Sequence, residues 1–134
     1  MKPKYMLDTH MCVYLMKEQP IAVVERLAPC YVGDVVISAL TLAELELGVA
    51  SSGRECAQNR IALDGFLEDV WVAPFGGEAA RTYGEVKGQA NDSKLDPVDQ
   101  RVAAHALSLD VTLVTNHDAD FAMYPGLRVE NWVK

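Results

Sequence analysis

No apolar run in this chain reaches membrane-spanning length, which excludes a transmembrane helix. The start is basic at Lys2 and Lys4, but Asp8 follows before any signal-peptide core can form. A cytoplasmic location is therefore expected. Cysteine is scarce. Cys12, Cys30 and Cys56 are odd in number and widely spaced, which fits neither a disulfide framework nor a zinc site. They are read as small buried hydrophobes. The phosphate-cradling patterns Gly-x-x-x-x-Gly-Lys and Gly-x-Gly-x-x-Gly are missing, which removes P-loop and dinucleotide-binding readings. Basic residues are also few. Twelve Lys and Arg stand against 19 Asp and Glu, for a net charge of −7. That excludes nucleic-acid binding through a broad basic surface. It leaves room for a nuclease, because a metal ion in an acidic pocket itself attracts phosphate. The three histidines, His10, His105 and His117, lack metal-ligand spacing, and His105 is read as a structural residue on a helix.

What is present is hydrophobic residue, half of the total, arranged in alternating strand and helix patterns. Length favours a single domain over residues 1–134. Short, mostly apolar runs predict strands at Lys4–Leu7, Val35–Ser38, Trp71–Ala73, Val111–Val114 and Leu127–Val129. Helices are expected at Met11–Met16, Ile21–Leu27, Thr41–Gly48, Cys56–Val70 and Ala79–Ala90, with a polar loop at Asn91–Lys94. Ile61, Leu63, Phe66 and Leu67 are the expected apolar positions of the fourth helix. The clearest unit begins at Asp96, a plausible N-cap, with Pro97 at the first helical position. Val102, Ala103, Ala106 and Leu107 make an apolar stripe, the strand to Val114 follows, and the chain then turns acidic at Asp118 and Asp120. Strands alternating with helices predict an α/β fold whose central, mostly parallel sheet is covered on both faces.

Carboxylates cluster in this plan. Asp8 follows the first strand and reads equally as the N-cap of the next helix or as a metal-binding acid. Glu44 pairs with Thr41 in a capping-box pattern, yet it is close enough to a strand end to reach a metal beside Asp8. Glu46, two positions on, is expected to face solvent. Asp99 lies in the first turn of its helix, and Asp118 and Asp120 follow the fourth strand. Like charges repel and are costly to bury, so such a cluster implies a cation. Oxygen ligands favour Mg²⁺ or Mn²⁺ over Zn²⁺. Ser38 and Thr115 are candidates to hydrogen-bond near that metal.

Taken in order, these segments resemble the VapC-type toxins of the PIN-domain ribonuclease family. The likeness rests on Met6-Leu7-Asp8-Thr9, on Ile37-Ser38 with Thr41-Leu42-Ala43-Glu44-Leu45 and Gly48, and on Pro97-Val98-Asp99 with Ala103-Ala104-His105-Ala106. It continues through Leu113-Val114-Thr115-Asn116, Asp120-Phe121 and Pro125-Gly126-Leu127-Arg128-Val129-Glu130-Asn131-Trp132. It covers Lys4 to Val133. The resemblance implies a three-layer α/β/α PIN-like fold and a Mg²⁺- or Mn²⁺-dependent endoribonuclease. Its substrate would be tRNA or another structured RNA, cut in a single-stranded loop. It further implies the toxin of a type II toxin–antitoxin pair, inhibited by a VapB-like antitoxin and meeting DNA only through it. Asp8, Glu44 and Asp99 match the family's three core acids, and Asp120 a fourth that is often Glu. Thr9, Ser38, Thr115, Asn116 and Asp118 are possible supporting residues. The chain departs from the pattern at His10 and His117, each in place of Asn, at Asp96 in place of Gly, and in the shorter acid Asp120. Met11, Val13, Leu15 and the helix from Leu40 to Val49 carry more apolar residues than one small core obviously needs. With the resemblance, that predicts a homodimer.

Two other readings compete. A haloacid-dehalogenase-type phosphatase would want a second Asp where His10 stands, and a receiver-like domain would want adjacent acids and a later strand-end Lys. A catalytically inactive PIN-fold binding module would not need the intact acidic set.

Overall fold

A computed structural model of the chain describes residues 2–89 and 95–134. The expected polar loop at 91–94 and the last residue of the helix expected to reach Ala90 lie outside the described residues. The elements in chain order are β1 (Tyr5–Leu7), α1 (Thr9–Met16), α2 (Ile21–Leu27), β2 (Val35–Ser38) and α3 (Ala39–Ala50). A 3₁₀ turn (Gly53–Glu55) leads into α4 (Cys56–Asp69) and β3 (Trp71–Ala73). Then come α5 (Gly77–Gln89), α6 (Pro97–Leu109), β4 (Thr112–Val114), the single helical turn α7 (Asp118–Phe121) and β5 (Val129–Glu130). The last strand therefore starts two residues later than its apolar run suggests, and the acidic turn after β4 is helical.

The five strands form one parallel sheet in the order β3-β2-β1-β4-β5. The chain lays down β1, moves outward through β2 and β3, then returns to place β4 on the other side of β1. The carboxyl ends of β1 and β4 are thus the point where the strand order reverses, where open α/β sheets form their ligand crevice. Leu7 lies opposite Val114 in this pair, so Asp8 and Thr115 leave the sheet side by side.

Alternation along the strands sorts the core into two layers. Leu7, Val35, Ile37 and Val114 pack with Met11, Leu15, Val23, Leu45 and Leu63 from the helices of one face. Met6, Val36 and Leu113 pack with Val102, Ala103, Ala106 and Phe121 on the other. The fold is therefore the expected α/β/α sandwich. Met11 and Leu15 are buried in this core, as are Leu45 and Val49 of α3, so much of the apolar surplus expected for a dimer face is spent inside one chain. Leu47 stays exposed. Trp132 is buried and holds the C-terminal segment, with Arg26 stacked over its ring at 5.3 Å and bound to Glu130 at 2.8 Å.

Three local expectations fail. The capping box of Thr41 and Glu44 does not form. Ser38 caps α3 instead, its Oγ accepting the Leu40 N–H at 3.1 Å, because the helix begins directly at the strand exit. Thr41 then falls inside the helix and is fully buried. Ile61 is 73 % exposed, since it lies two positions from the buried Leu63 and so on the opposite side of α4. Cysteine burial divides: Cys12 is buried, Cys30 is partly covered and Cys56 is exposed at the start of α4.

Candidate active site

Asp8 ends β1 and begins α1, and the structure gives it both backbone and side-chain partners. Its Oδ1 accepts the Met11 N–H at 2.9 Å, so it is the N-cap of α1. Its Oδ2 accepts the Thr115 hydroxyl at 2.5 Å. Both oxygens are therefore fixed in direction, in a residue only 4 % exposed. Burial raises the Asp8 carboxyl above its ordinary range, and the hydrogen bonds from Thr115 and Met11 and the charges of His10 and His117 oppose that rise. Thr115 Oγ1 also accepts the His117 N–H at 3.0 Å, which ties the loop after β4 to the same junction.

Asp99 reaches this crevice from the first turn of α6, a helix that no strand immediately precedes. Asp96 caps that helix through the Asp99 N–H at 2.8 Å, with Pro97 in the first turn as expected. The Asp99 carboxyl is pushed up to about 6 by burial first, then by the charges of Asp96, Asp8 and Glu44, with His117 pulling the other way. Two of the predicted acids, Asp8 and Glu44, thus act on a third, Asp99. Glu44 stands exposed on α3, and the Thr9 hydroxyl donates to its Oε1 at 3.5 Å. Glu46 is turned partly outward and pairs with Arg60 of α4.

The other predicted residues take up different positions. Asp120 is exposed on α7. Asp118, expected to support the site, is committed to the C-terminus: Asn131 Nδ2 donates to it at 3.1 Å, and that hydrogen bond leads the causes that lower its carboxyl. Asn116 Nδ2 donates to the Tyr14 hydroxyl at 3.0 Å, while its Oδ1 is buried with no hydrogen-bond partner among the described residues. Besides capping α3, Ser38 meets His105 Nδ1 at 2.9 Å rather than an acid. His105 is fully buried beneath the edge of Phe75, the structural role expected of it.

A groove of about 730 Å³ opens beside Thr9 and Glu44 and runs between α1, α3 and α4. Val13, Met16, Leu45 and Val49 give it an apolar floor, and Lys17 lies along its wall.

The sequence does not predict the pairing of His10 with His117. Their ring nitrogens Nδ1 and Nε2 approach to 3.2 Å, with both rings exposed. Each stands three residues past a partner in the β1–β4 register, Leu7 or Val114. Only knowledge of that non-local strand pairing would have brought them together.

The model of the PIN domain matches residues 5–127. This chain belongs to the PIN-domain family. Within that family it is similar to the ribonuclease VapC2 of Rickettsia felis, at 35% identity over 97% of this chain and 98% of that protein. It is similar also to a tRNA(fMet)-specific endonuclease VapC of Shigella flexneri, at 33% identity over 96% of this chain and 98% of that one. The DNA-bound VapBC crystal structure from Salmonella typhimurium superposes with a TM-score of 0.89, at 31% identity over 97% of this chain and 98% of the matched chain. These likenesses place the chain among the VapC-type PIN domains and agree with the α/β/α fold described above.

The donors at the crevice are carboxylate and hydroxyl oxygens, the chemistry that suits a hard divalent ion. Asp99, raised by burial and then by three like charges, is a place where a counter-charge is favourable. Among the described residues, no three His, Cys, Asp or Glu side chains already stand as a closed ligand group. What links the acids is charge, through Asp99.

Proposed function

We propose that this chain is a Mg²⁺- or Mn²⁺-dependent endoribonuclease, the toxin of a toxin–antitoxin pair, which cuts tRNA in a single-stranded loop. The observation that carries the reading is the junction of Asp8 and Thr115 at the strand-order reversal, with Asp99 feeling the charges of both Asp8 and Glu44. The names of the Rickettsia and Shigella relatives support RNA as the substrate, and the second supports tRNA. The Salmonella complex supports a VapB-type antitoxin as partner and DNA contact through that complex.

Asp8, Asp99 and Glu44 would hold the ion, with Asp120 contributing from α7. When bound, such an ion neutralises charge on the phosphoryl group and makes water a better nucleophile. The chain's own part is positional. Thr115 and the Met11 N–H fix Asp8, so its carboxylate does not swing as a phosphodiester arrives. Asp96 and Pro97 set the first turn of α6 and hence Asp99. A looped RNA strand exposes its backbone to such a crevice, whereas an A-form duplex presents mainly its shape and hydroxyls.

The apolar groove between α1, α3 and α4 suits an antitoxin segment laid beside Thr9 and Glu44, where it would block the acids. The reading includes a homodimer working in the cytoplasm, and among the described residues no helix is long and apolar enough to cross a membrane. The test is cleavage of tRNA by the purified chain with Mg²⁺ or Mn²⁺, with Asp99→Asn beside it. Expression alone should arrest growth, and co-expression of the product of the adjacent short gene should relieve the arrest.

A further inference from the structure

We propose that His10 and His117 form a two-imidazole site for a borderline divalent cation, Zn²⁺ by chemical class, at the mouth of the acidic crevice. Neither ring has a part in the carboxylate chemistry above. His10 Nδ1 and His117 Nε2 lie 3.2 Å apart. Two nitrogens that each bind one zinc at ~2.0–2.1 Å with a tetrahedral angle stand about 3.3 Å apart. The observed spacing therefore needs little change to admit an ion between them. The rings are exposed, with centroids 5.0 Å apart and planes inclined by 59°, so small side-chain rotations can turn both lone pairs toward one point.

The backbone beneath is fixed. His10 sits in the first turn of α1 behind its Asp8 cap, and the His117 N–H is held by Thr115 Oγ1 at 3.0 Å. The charges of both imidazoles act on Asp8, and that of His117 acts on Asp99, so two carboxylates supply a negative field at this spot. In the neutral pair one ring donates its N–H to the other. Zinc takes the place of that shared proton, which moves to the outer nitrogen of the same ring, and waters complete the coordination. Imidazole favours Zn²⁺, Ni²⁺ and Cu²⁺ and does not favour Mg²⁺. The crevice would thus sort metals, with oxygen donors inside and nitrogen donors at its lip.

Calorimetric titration with Zn²⁺ tests this on the full chain carrying Cys56→Ser, which removes an exposed thiol that would also bind zinc. With excess Mg²⁺ present to occupy the acids, one zinc ion should bind, and its affinity should fall roughly tenfold or more in His10→Asn and in His117→Asn. Nitrogen NMR of the protein with both histidines intact makes the test independent of any variant's folding. One equivalent of Zn²⁺ should give the His10 and His117 rings the ring-nitrogen shift of direct metal coordination and leave buried His105 unmoved, and a large excess of Mg²⁺ should produce that coordination shift in neither. Zinc affinity in both histidine variants unchanged from that of the parent chain, or imidazole signals that ignore zinc, would overturn the proposal.

Discussion

The Thr115 hydroxyl donates to Asp8 Oδ2 at 2.5 Å, joining two strand ends that lie 107 positions apart in the sequence. This bond turns a sheet register into a fixed carboxylate. Thr115→Val keeps the shape and β-propensity but leaves a buried charged oxygen without its donor, at a cost of about 1–3 kcal/mol. Cleavage should fall with stability, while Thr115→Ser should restore both. Thermal unfolding and single-turnover cleavage of the two variants check this. A fully active Thr115→Val would show that the bond has no part in positioning Asp8.

Asp8 both caps a helix and belongs to the acidic set, and two substitutions separate those roles. Asp8→Asn retains an oxygen for the Met11 N–H, so stability should stay within about 1 kcal/mol while cleavage drops roughly a thousandfold. Asp8→Ala should lose as much activity and additionally about 1–2 kcal/mol of stability. Denaturant unfolding beside the cleavage assay distinguishes them. Equal stability of the two variants would contradict the capping role.

The acids should rank by their place in the crevice. Glu44→Gln is expected to lose more than Asp120→Asn and less than Asp99→Asn. For Asp120→Asn the loss should be on the order of ten- to a hundredfold, partly recovered at high Mn²⁺. Asp118→Asn should leave cleavage nearly unchanged, because Asp118 serves the C-terminal segment through Asn131. A metal titration over all four variants measures the order. An Asp118 variant as inactive as Asp99→Asn would place that turn in the site after all.

His105 gives a pH signature. Burial holds its pKa below the ordinary value, with a hydrogen bond to the Pro74 backbone opposing. The folded state therefore keeps the ring neutral while the unfolded chain takes up a proton. The stability this contributes is full above about 6.5 and is lost as pH falls from there through the lower folded value. Relative to His105→Asn, the wild type should become less stable as pH drops below neutrality, by at most ~1.4 kcal/mol per pH unit. Unfolding free energies across that range give the slope, and the slope is compared because the substitution itself shifts the offset. Parallel curves would show that His105 does not titrate differently on folding.

Local chemistry made most elements legible. Pro97 behind Asp96 fixes the start of α6, the β-branched runs fix β2 and β4, and alternation assigns Met6 and Leu7 to opposite layers. The acids Asp8, Glu44 and Asp99 were legible as a set because each lies near a strand end or in a first turn. What was not legible depends on non-local pairing. Sheet order decides that Thr115 meets Asp8 and that His10 meets His117, and no window of sequence contains both partners. Competition between caps was a second source of error. Ser38 and Thr41 are both good N-cap residues, and the strand exit chose the first. The Asp118–Asn131 contact is equally non-local, since Asn131 lies beyond β5.

The central claim is that the Asp8–Asp99–Glu44 crevice cleaves RNA with a divalent ion. Single-turnover cleavage of one tRNA by the wild type and by Asp99→Asn, each with Mn²⁺ and with EDTA, addresses it most directly. The account predicts cleavage only by the wild type with Mn²⁺, with a loss of roughly a thousandfold or more in Asp99→Asn, which should remain folded. Full cleavage by Asp99→Asn, or by the wild type in EDTA, with contaminating nuclease excluded, would contradict it.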